Sequence, residues 1–577
     1  MKKLLKYLSS YKKESILSPL FKMLEASFEL IVPLVVASII DHCMEGATVA
    51  SASPYILKGF ALLIVLGLVG LICSCTAQFF AAKAATGFAT GLRHDLFAHL
   101  LSLDFKDIDN LGTSTMITRM TSDVNTIQSG VNMFLRLFLR SPFIVLGATV
   151  MAFTIDVQCA LIFVGVVILL GIVVYIIMNM NIPALKIVQG KLDNVLNLTR
   201  ENLSGVRVIR AFTREEEELD AFRNKNNDLA ATQLKAGRIS GLLNPLTYSI
   251  INLAIVLLIV KGGLKVGSGA LTTGAVVALY NYMSQILVEL IKFASLVVTI
   301  NKALASANRI DEVFDISQGL TANSDGVLLD NNIHSIEFDN VFLRYHEKSD
   351  EALSNVSFRI EEGQTIGIIG GTGSGKTSLV NLISRYYDAT SGNIFINGKN
   401  IKEFEVTSLR KSIGNVLQKA VLFRGTIKDN LLWGNENASD EEIMEAVNLS
   451  CADDVVKLKG GLDANIEAGG KNLSGGQRQR LSIARALVRK PSVLILDDSS
   501  SALDFVTDLK LRTNIKGLSY RPIVFIVSQR SSAVSSADII VVLDDGNVVG
   551  IGTHDELLKD CEVYQEIYNS QLRREVE

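Results

Sequence analysis

Up to about residue 318 the chain alternates long apolar runs with polar ones; from Ile336 onward it shortens to strand-length apolar runs between helical stretches. A helix that crosses a bilayer needs roughly 20 mostly apolar residues. Six runs meet that requirement, centred on Ile16–Ile40, Ile56–Ala82, Phe134–Phe153, Ala160–Met180, Leu243–Val260 and Ala275–Ile300. The fourth, ALIFVGVVILLGIVVYIIMNM, carries no charge, and the second is nearly as clean. The polar segments after the second and fourth runs, such as TRENLSGVRVIRAFTREEEELDAF, read as helices continuing beyond the membrane.

The later half has another period. SIEFDNVFLRY, QTIGIIG, SVLILDD, IVFIVS and IIVVLDDGNVVG are short, rich in β-branched residues and separated by helical stretches, the grammar of an α/β domain. Between the halves, SQGLTANSDGVLLDNN is a linker by its Ser, Asn, Asp and Gly content. The expected architecture is a membrane α-helical domain of six transmembrane helices over residues 1–318, a linker over 319–334, and an α/β P-loop nucleotide-binding domain over 335–577.

Composition agrees with a membrane assignment: mean hydropathy is +0.33, with 49% hydrophobic and 20% charged residues. A formal net charge of -3 argues against a nucleic-acid partner, because neutralising phosphates takes an excess of Lys and Arg. Basic residues crowd the N-terminus and the polar segments (Lys83, Arg93, Lys106, Arg119; Lys186, Lys191, Arg200, Arg207, Arg210), which places these segments in the cytoplasm. Lys261 and Lys265 are exceptions. The opening MKKLLKYLSSYKK lacks the clean apolar core and cleavage site of a signal peptide and reads as an amphipathic helix on the cytoplasmic face. The six cysteines are scattered and suggest neither a disulfide framework nor a zinc site.

Three motifs carry chemistry. GGTGSGKT (Gly370, Gly371, Thr372, Gly373, Ser374, Gly375, Lys376, Thr377) follows an apolar strand and fits a phosphate loop. Its glycines let backbone N–H groups turn toward phosphate oxygens, Lys376 reaches the terminal phosphates and the Thr377 hydroxyl suits Mg²⁺. SVLILDD is a buried strand ending in acids, of which Asp497 is the Mg²⁺-side carboxylate. In NLSGGQRQRLSIARAL, Ser474, Gly475, Gly476 and Gln477 stand at a helix start, a natural anion site.

With these motifs in this order the chain resembles the ATP-binding cassette (ABC) superfamily, in the exporter type where six membrane helices precede one nucleotide domain. The resemblance implies further roles: Tyr345 as the aromatic stacking on adenine, Gln418 as the Q-loop glutamine beside Mg²⁺, LSGGQ as the signature and Ser501–Asp504 as the D-loop. It also implies that two nucleotide domains meet head to tail, each ATP held between one chain's phosphate loop and the other's signature. Short coupling helices are expected around Phe105–Ser114 and Glu201–Phe212.

The sequence departs from the family where hydrolysis is decided. A Glu normally follows the Walker B Asp as general base and a His contacts the γ-phosphate; here these positions hold Asp498 and Gln529. Asp is about 1.5 Å shorter, while a general base must lie within roughly 2.6–3.2 Å of its proton. Gln529 hydrogen-bonds but cannot carry a proton as imidazole does. Ala468 stands where family exporters often have an acid. With LSGGQ complete, the pattern resembles the degenerate-site subunit of a heterodimeric bacterial multidrug exporter: slow at its own site, it completes the site of a second ABC half-transporter. The expected setting is a bacterial plasma membrane, with surrounding lipids and a small amphipathic substrate as further partners. Alternatives are a lipid or peptide exporter, or a nucleotide-gated regulator or channel partner. Within the apolar runs, Glu289 and Lys292 are spaced for an ion pair; Glu29 is read as a packing or salt-bridge residue, or a site for cationic drugs.

Overall fold

The computed structural model describes residues 4–44, 49–317, 326–329, 332–346 and 349–576. Six helical segments are long and apolar enough to cross a membrane. The spans are Lys12–Met44, Val49–Leu101, Thr113–Ile155, Val157–Ser204, Leu243–Gly267 and Thr273–Phe314. Each extends past the apolar run expected for it because polar helix continues beyond the apolar stretch.

The third span is not one regular helix. A π-helical turn at Arg119–Asp123 precedes Val124–Leu137, and the helix restarts at Arg140–Ile155. The restart brings Arg140 to the first position of its helix, with its side chain buried. At the π-helical turn the buried Asp123 accepts from Arg119 at 2.9 Å and from Arg309 of the sixth span. Tyr282, fully buried, donates to the Leu30 carbonyl at 2.6 Å and ties span six to span one. Such polar links matter because lipid tails give packed helices no hydrophobic reason to associate. Lys265, one of the two basic exceptions, pairs with Asp156 at 2.5 Å, and Asp156 also caps the fourth span by accepting from Cys159 N–H.

The chain forms two compact units, Met1–Phe97 with Thr115–Asp315, and Ala98–Ser114 with Ile316–Glu577. The expected linker over 319–334 lies outside the described residues at 319–325, 330 and 331; of its remainder, Val327 exchanges backbone hydrogen bonds with Glu403 and Glu405.

The second unit is built on a 10-stranded sheet. Its parallel core runs Ile413–Val416, Val493–Asp497, Ile523–Ser528, Thr365–Gly370, Ile539–Asp544. Val493–Asp497 and Ile523–Ser528 are buried at every position, as strands covered on both faces must be. Register places Ile369 opposite Ser528, Val527 opposite Asp497 and Leu496 opposite Val416. Four parallel strands therefore end side by side, and the residues following each end share one edge, where open α/β sheets bind ligands.

Candidate functional site

The loop Gly370–Gly375 leaves the central strand and enters the helix Lys376–Ile383. Glycine is required at two points. A Cβ on Gly370 would lie 2.1 Å from the Leu543 carbonyl oxygen, and Gly375, at φ +93°, would place one 2.5 Å from the Ala352 carbonyl oxygen. Gly371, Thr372 and Gly373 are exposed on the loop, while Ser374 is buried. Lys376 is buried and donates to the Gly370 carbonyl at 3.0 Å and to Ser374 Oγ at 3.3 Å. Burial lowers its pKa, opposed by Asp498 and Asp497. The free N–H groups of a helix's first turn and a nearby ammonium together suit a polyphosphate.

Thr377 Oγ1 donates to both carboxylate oxygens of Asp497, at 3.1 and 3.0 Å. Asp497 is buried, and burial raises its pKa; the Thr377 bond pulls it back, Asp498 raises it further and Lys376 lowers it. A hydroxyl and a buried carboxylate in contact are hard oxygen donors, the chemistry Mg²⁺ prefers, so the residues present fit that ion.

Asp498 follows with φ +46°, a left-handed conformation that Asp tolerates better than most residues. Its N–H donates to the Val527 carbonyl at 2.9 Å, and its own carbonyl accepts from Ser501 Oγ at 2.8 Å. Gln418 Nε2 reaches the Asp498 carboxylate at 3.4 Å. The Q-loop amide and the second acid are thus brought together, and among the described residues the Gln418 side chain bonds to Asp498 rather than to Thr377 or Asp497. Gln529 is exposed, and its backbone carbonyl accepts from Gln571 Nε2 at 2.8 Å. Gln571 Oε1 accepts from Ser531 N–H and Oγ, so the helix Glu562–Val576 clamps the loop carrying Gln529.

Ser474 caps the helix Gly475–Val488 in a reciprocal box: its Oγ accepts from Gln477 N–H at 3.3 Å and its N–H donates to Gln477 Oε1 at 2.9 Å. Gly475 has open space at its Cβ position, and a Cβ on Gly476 would meet the Ala502 carbonyl at 2.9 Å. No bond joins Ser474 to the phosphate loop among the described residues. Asp504 of the D-loop caps the helix Phe505–Lys516. Tyr345, partly buried, donates to Ser378 Oγ at 2.8 Å, one residue past Thr377. Ala468 opens a short 3₁₀ turn, Ala468–Gly470, before the signature.

Residues 15–290 match the family described as ABC transporter transmembrane region, and residues 353–501 match the family described as ABC transporter. Over 576 residues the chain is 35% identical to the uncharacterized ABC transporter ATP-binding protein YfiB of Bacillus subtilis (strain 168), covering 100% of this chain and 99% of the relative. The chain belongs to the ABC transporters. It has the half-transporter layout, a membrane region followed by an ATP-binding domain, which couples ATP hydrolysis to export. This ABC exporter is a membrane protein with a cytoplasmic ATPase domain. It is also 30% identical over 577 residues to YgaD of Bacillus subtilis (strain 168), an ATP-binding/permease protein whose name carries a provisional assignment to multidrug export, covering 99% of each chain. A solved bacterial Atm1-family ABC exporter with ATP bound shares the fold, at TM-score 0.82 and 24% identity, over 97% of this chain and 98% of that one.

In the membrane region of this ABC exporter, Glu29 and Glu289 converge on one guanidinium that the sequence reading missed. Arg140 donates to Glu289 at 2.5 Å and to both oxygens of Glu29 at 3.0 and 2.8 Å; Ser141 and Lys292 complete the shell of Glu289 at 2.9 and 2.8 Å. The charges balance, so Glu29 is already neutralised and acts as a salt-bridge residue. The sequence signal was the arginine itself, which with Arg136 is one of two in the run Phe134–Phe153, since an intramembrane charge needs a partner.

Proposed function

We propose that this chain is one half of a heterodimeric ATP-driven exporter of amphipathic, multidrug-type compounds, with a slow hydrolytic site of its own and a signature that completes its partner's. The observation carrying this reading is the combination, in one chain, of Asp498 and Gln529 with an intact LSGGQ at Ser474–Gln477. YgaD, with its name, supports the substrate class.

ATP at this chain's site is bound by the loop amides of Gly370–Gly375 and by Lys376, with adenine stacked on Tyr345. Thr377, Asp497 and Gln418 would hold Mg²⁺, which when bound neutralises phosphate charge. Asp498, left-handed and engaged with Gln418, falls short as general base. Two misplaced polar groups slow hydrolysis by roughly a hundredfold or more, since tenfold in rate takes only about 1.4 kcal/mol. Binding does not use either group, so this site holds nucleotide and turns it over rarely. Closure of paired domains on ATP biases the membrane helices between inward-open and outward-open states by its differential affinity for the closed state.

The test is isolation of the affinity-tagged chain from its native membrane. The reading expects a second half-transporter in equal amount, with Glu and His at the positions matching Asp498 and Gln529. A homodimer with ATP-driven uptake into vesicles would overturn the heterodimer, and flux that only follows a gradient would overturn the pump.

A further inference from the structure

The segment Ala98–Ser114 packs in the same compact unit as the nucleotide-binding residues. Its short helix Phe105–Leu111 touches that unit at two consecutive tyrosines. The Phe105 ring lies 4.4 Å from that of Tyr386, centroid to centroid, and Tyr387 Oη donates to Asp109 at 2.7 Å. On its other side Tyr387 meets Tyr345 edge to face, with centroids 4.9 Å apart and planes at 87°. Tyr345 is fixed at its far end by Ser378. A cavity of about 480 Å³ is walled by Tyr345 and Tyr387 together with Asp104 and Lys106. The aromatic platform and the first polar segment therefore open onto the same space.

We propose that Tyr387 is a positioning residue for base recognition: it orients Tyr345 and ties it through Asp109 to the helix Phe105–Leu111, so that filling the base site and displacing that helix are one coupled event. This rests on the reading that Tyr345 stacks on adenine. Two features carry the coupling. An edge-to-face pair has a preferred angle, so a rotation of Tyr387 is felt by Tyr345. A hydrogen bond to a carboxylate is stronger than one between neutral groups, so the Tyr387 hydroxyl follows Asp109. Coupling between two sites is reciprocal: if base binding acts on the helix, a change on the helix alters base affinity. Asp109 can therefore be probed from the nucleotide side although it does not line the cavity.

The experiment uses the full-length protein, with any subunit that co-purifies, in lipid nanodiscs. Binding of MANT-ATP is measured alongside competition by tripolyphosphate, which has no base. Asp109→Ala and Tyr387→Phe are each expected to weaken MANT-ATP binding about three- to tenfold. The double variant is expected to bind no more weakly than the worse single one, and tripolyphosphate to compete as before. Additive losses, an unchanged MANT-ATP affinity, or an equal loss for both ligands would overturn the proposal. Tyr345→Ala tests the underlying reading separately: if it leaves MANT-ATP affinity unchanged, adenine does not rest on Tyr345, whatever the other variants do.

Discussion

The Thr377 hydroxyl donates to both oxygens of the Asp497 carboxylate, at 3.1 and 3.0 Å, joining the phosphate-loop helix to the neighbouring strand end. Because Asp497 is buried, this contact is one of the few that compensate its charge. Thr377→Val keeps the shape and removes the donor and the oxygen together. It is expected to weaken Mg²⁺-dependent ATP binding by about tenfold or more, while leaving binding in EDTA within about twofold. Titration of a fluorescent ATP analogue with and without Mg²⁺ checks this.

Asp497 also sets a pH dependence. Burial, with Asp498 adding to it and Thr377 and Lys376 opposing, holds its pKa above the ordinary aspartate value. Between that ordinary value and the raised one, the folded protein binds more protons than the unfolded chain. Asp497 therefore contributes stability that is present at acid pH and lost as pH rises through the folded pKa. Mg²⁺ needs the ionised form, so Mg²⁺-dependent nucleotide affinity moves the opposite way and falls on acidification. The fall is expected at higher pH than an exposed aspartate would give, and Asp497→Asn removes it. Mg²⁺-dependent binding measured between about pH 7 and about pH 5 reads the effect.

Most of this architecture was legible in the sequence. The phosphate loop, the Asp497 strand and the signature each sit on a local pattern, and their helix or strand context follows from periodicity that the structure reproduces. Span three was less legible: its break before Arg140 answers to partners on spans one and six, which no local pattern encodes. The Asp109–Tyr387 bond was hidden for the same reason, since its residues are 278 positions apart. Likewise Gln571, near the C-terminus, gives no sign in sequence of holding the loop of Gln529.

Arg140 is the centre of the membrane-embedded network, so its removal leaves the carboxylate of Glu289, 3% exposed, to the more exposed Lys292 and to Ser141. Arg140→Met is expected to cost about 3–5 kcal/mol of stability. Glu29→Gln, at a side chain 41% exposed, is expected to cost about 1 kcal/mol or less. Thermal unfolding in detergent or nanodiscs ranks the two, and similar losses would show that Glu29 is as buried in energy as Glu289.

On the proposed reading, Ser474 serves the partner's site rather than the site of its own chain. Its capping box is local, and Ala in its place costs about 1 kcal/mol of helix stability, leaving the fold intact. In the assembled exporter, Ser474→Ala is expected to cut steady-state ATPase at least tenfold, while binding at Lys376 and Thr377 of the same chain stays within about twofold. Photolabelling of this chain alongside phosphate release separates the two readouts.

The most direct test of the account is the ATPase rate of this chain purified alone, compared with its Asp498→Glu, Gln529→His double variant. The native chain is expected to bind MgATP yet hydrolyse it near background, and the double variant to turn over at least about tenfold faster. A native chain that hydrolyses ATP as fast as the double variant would contradict it.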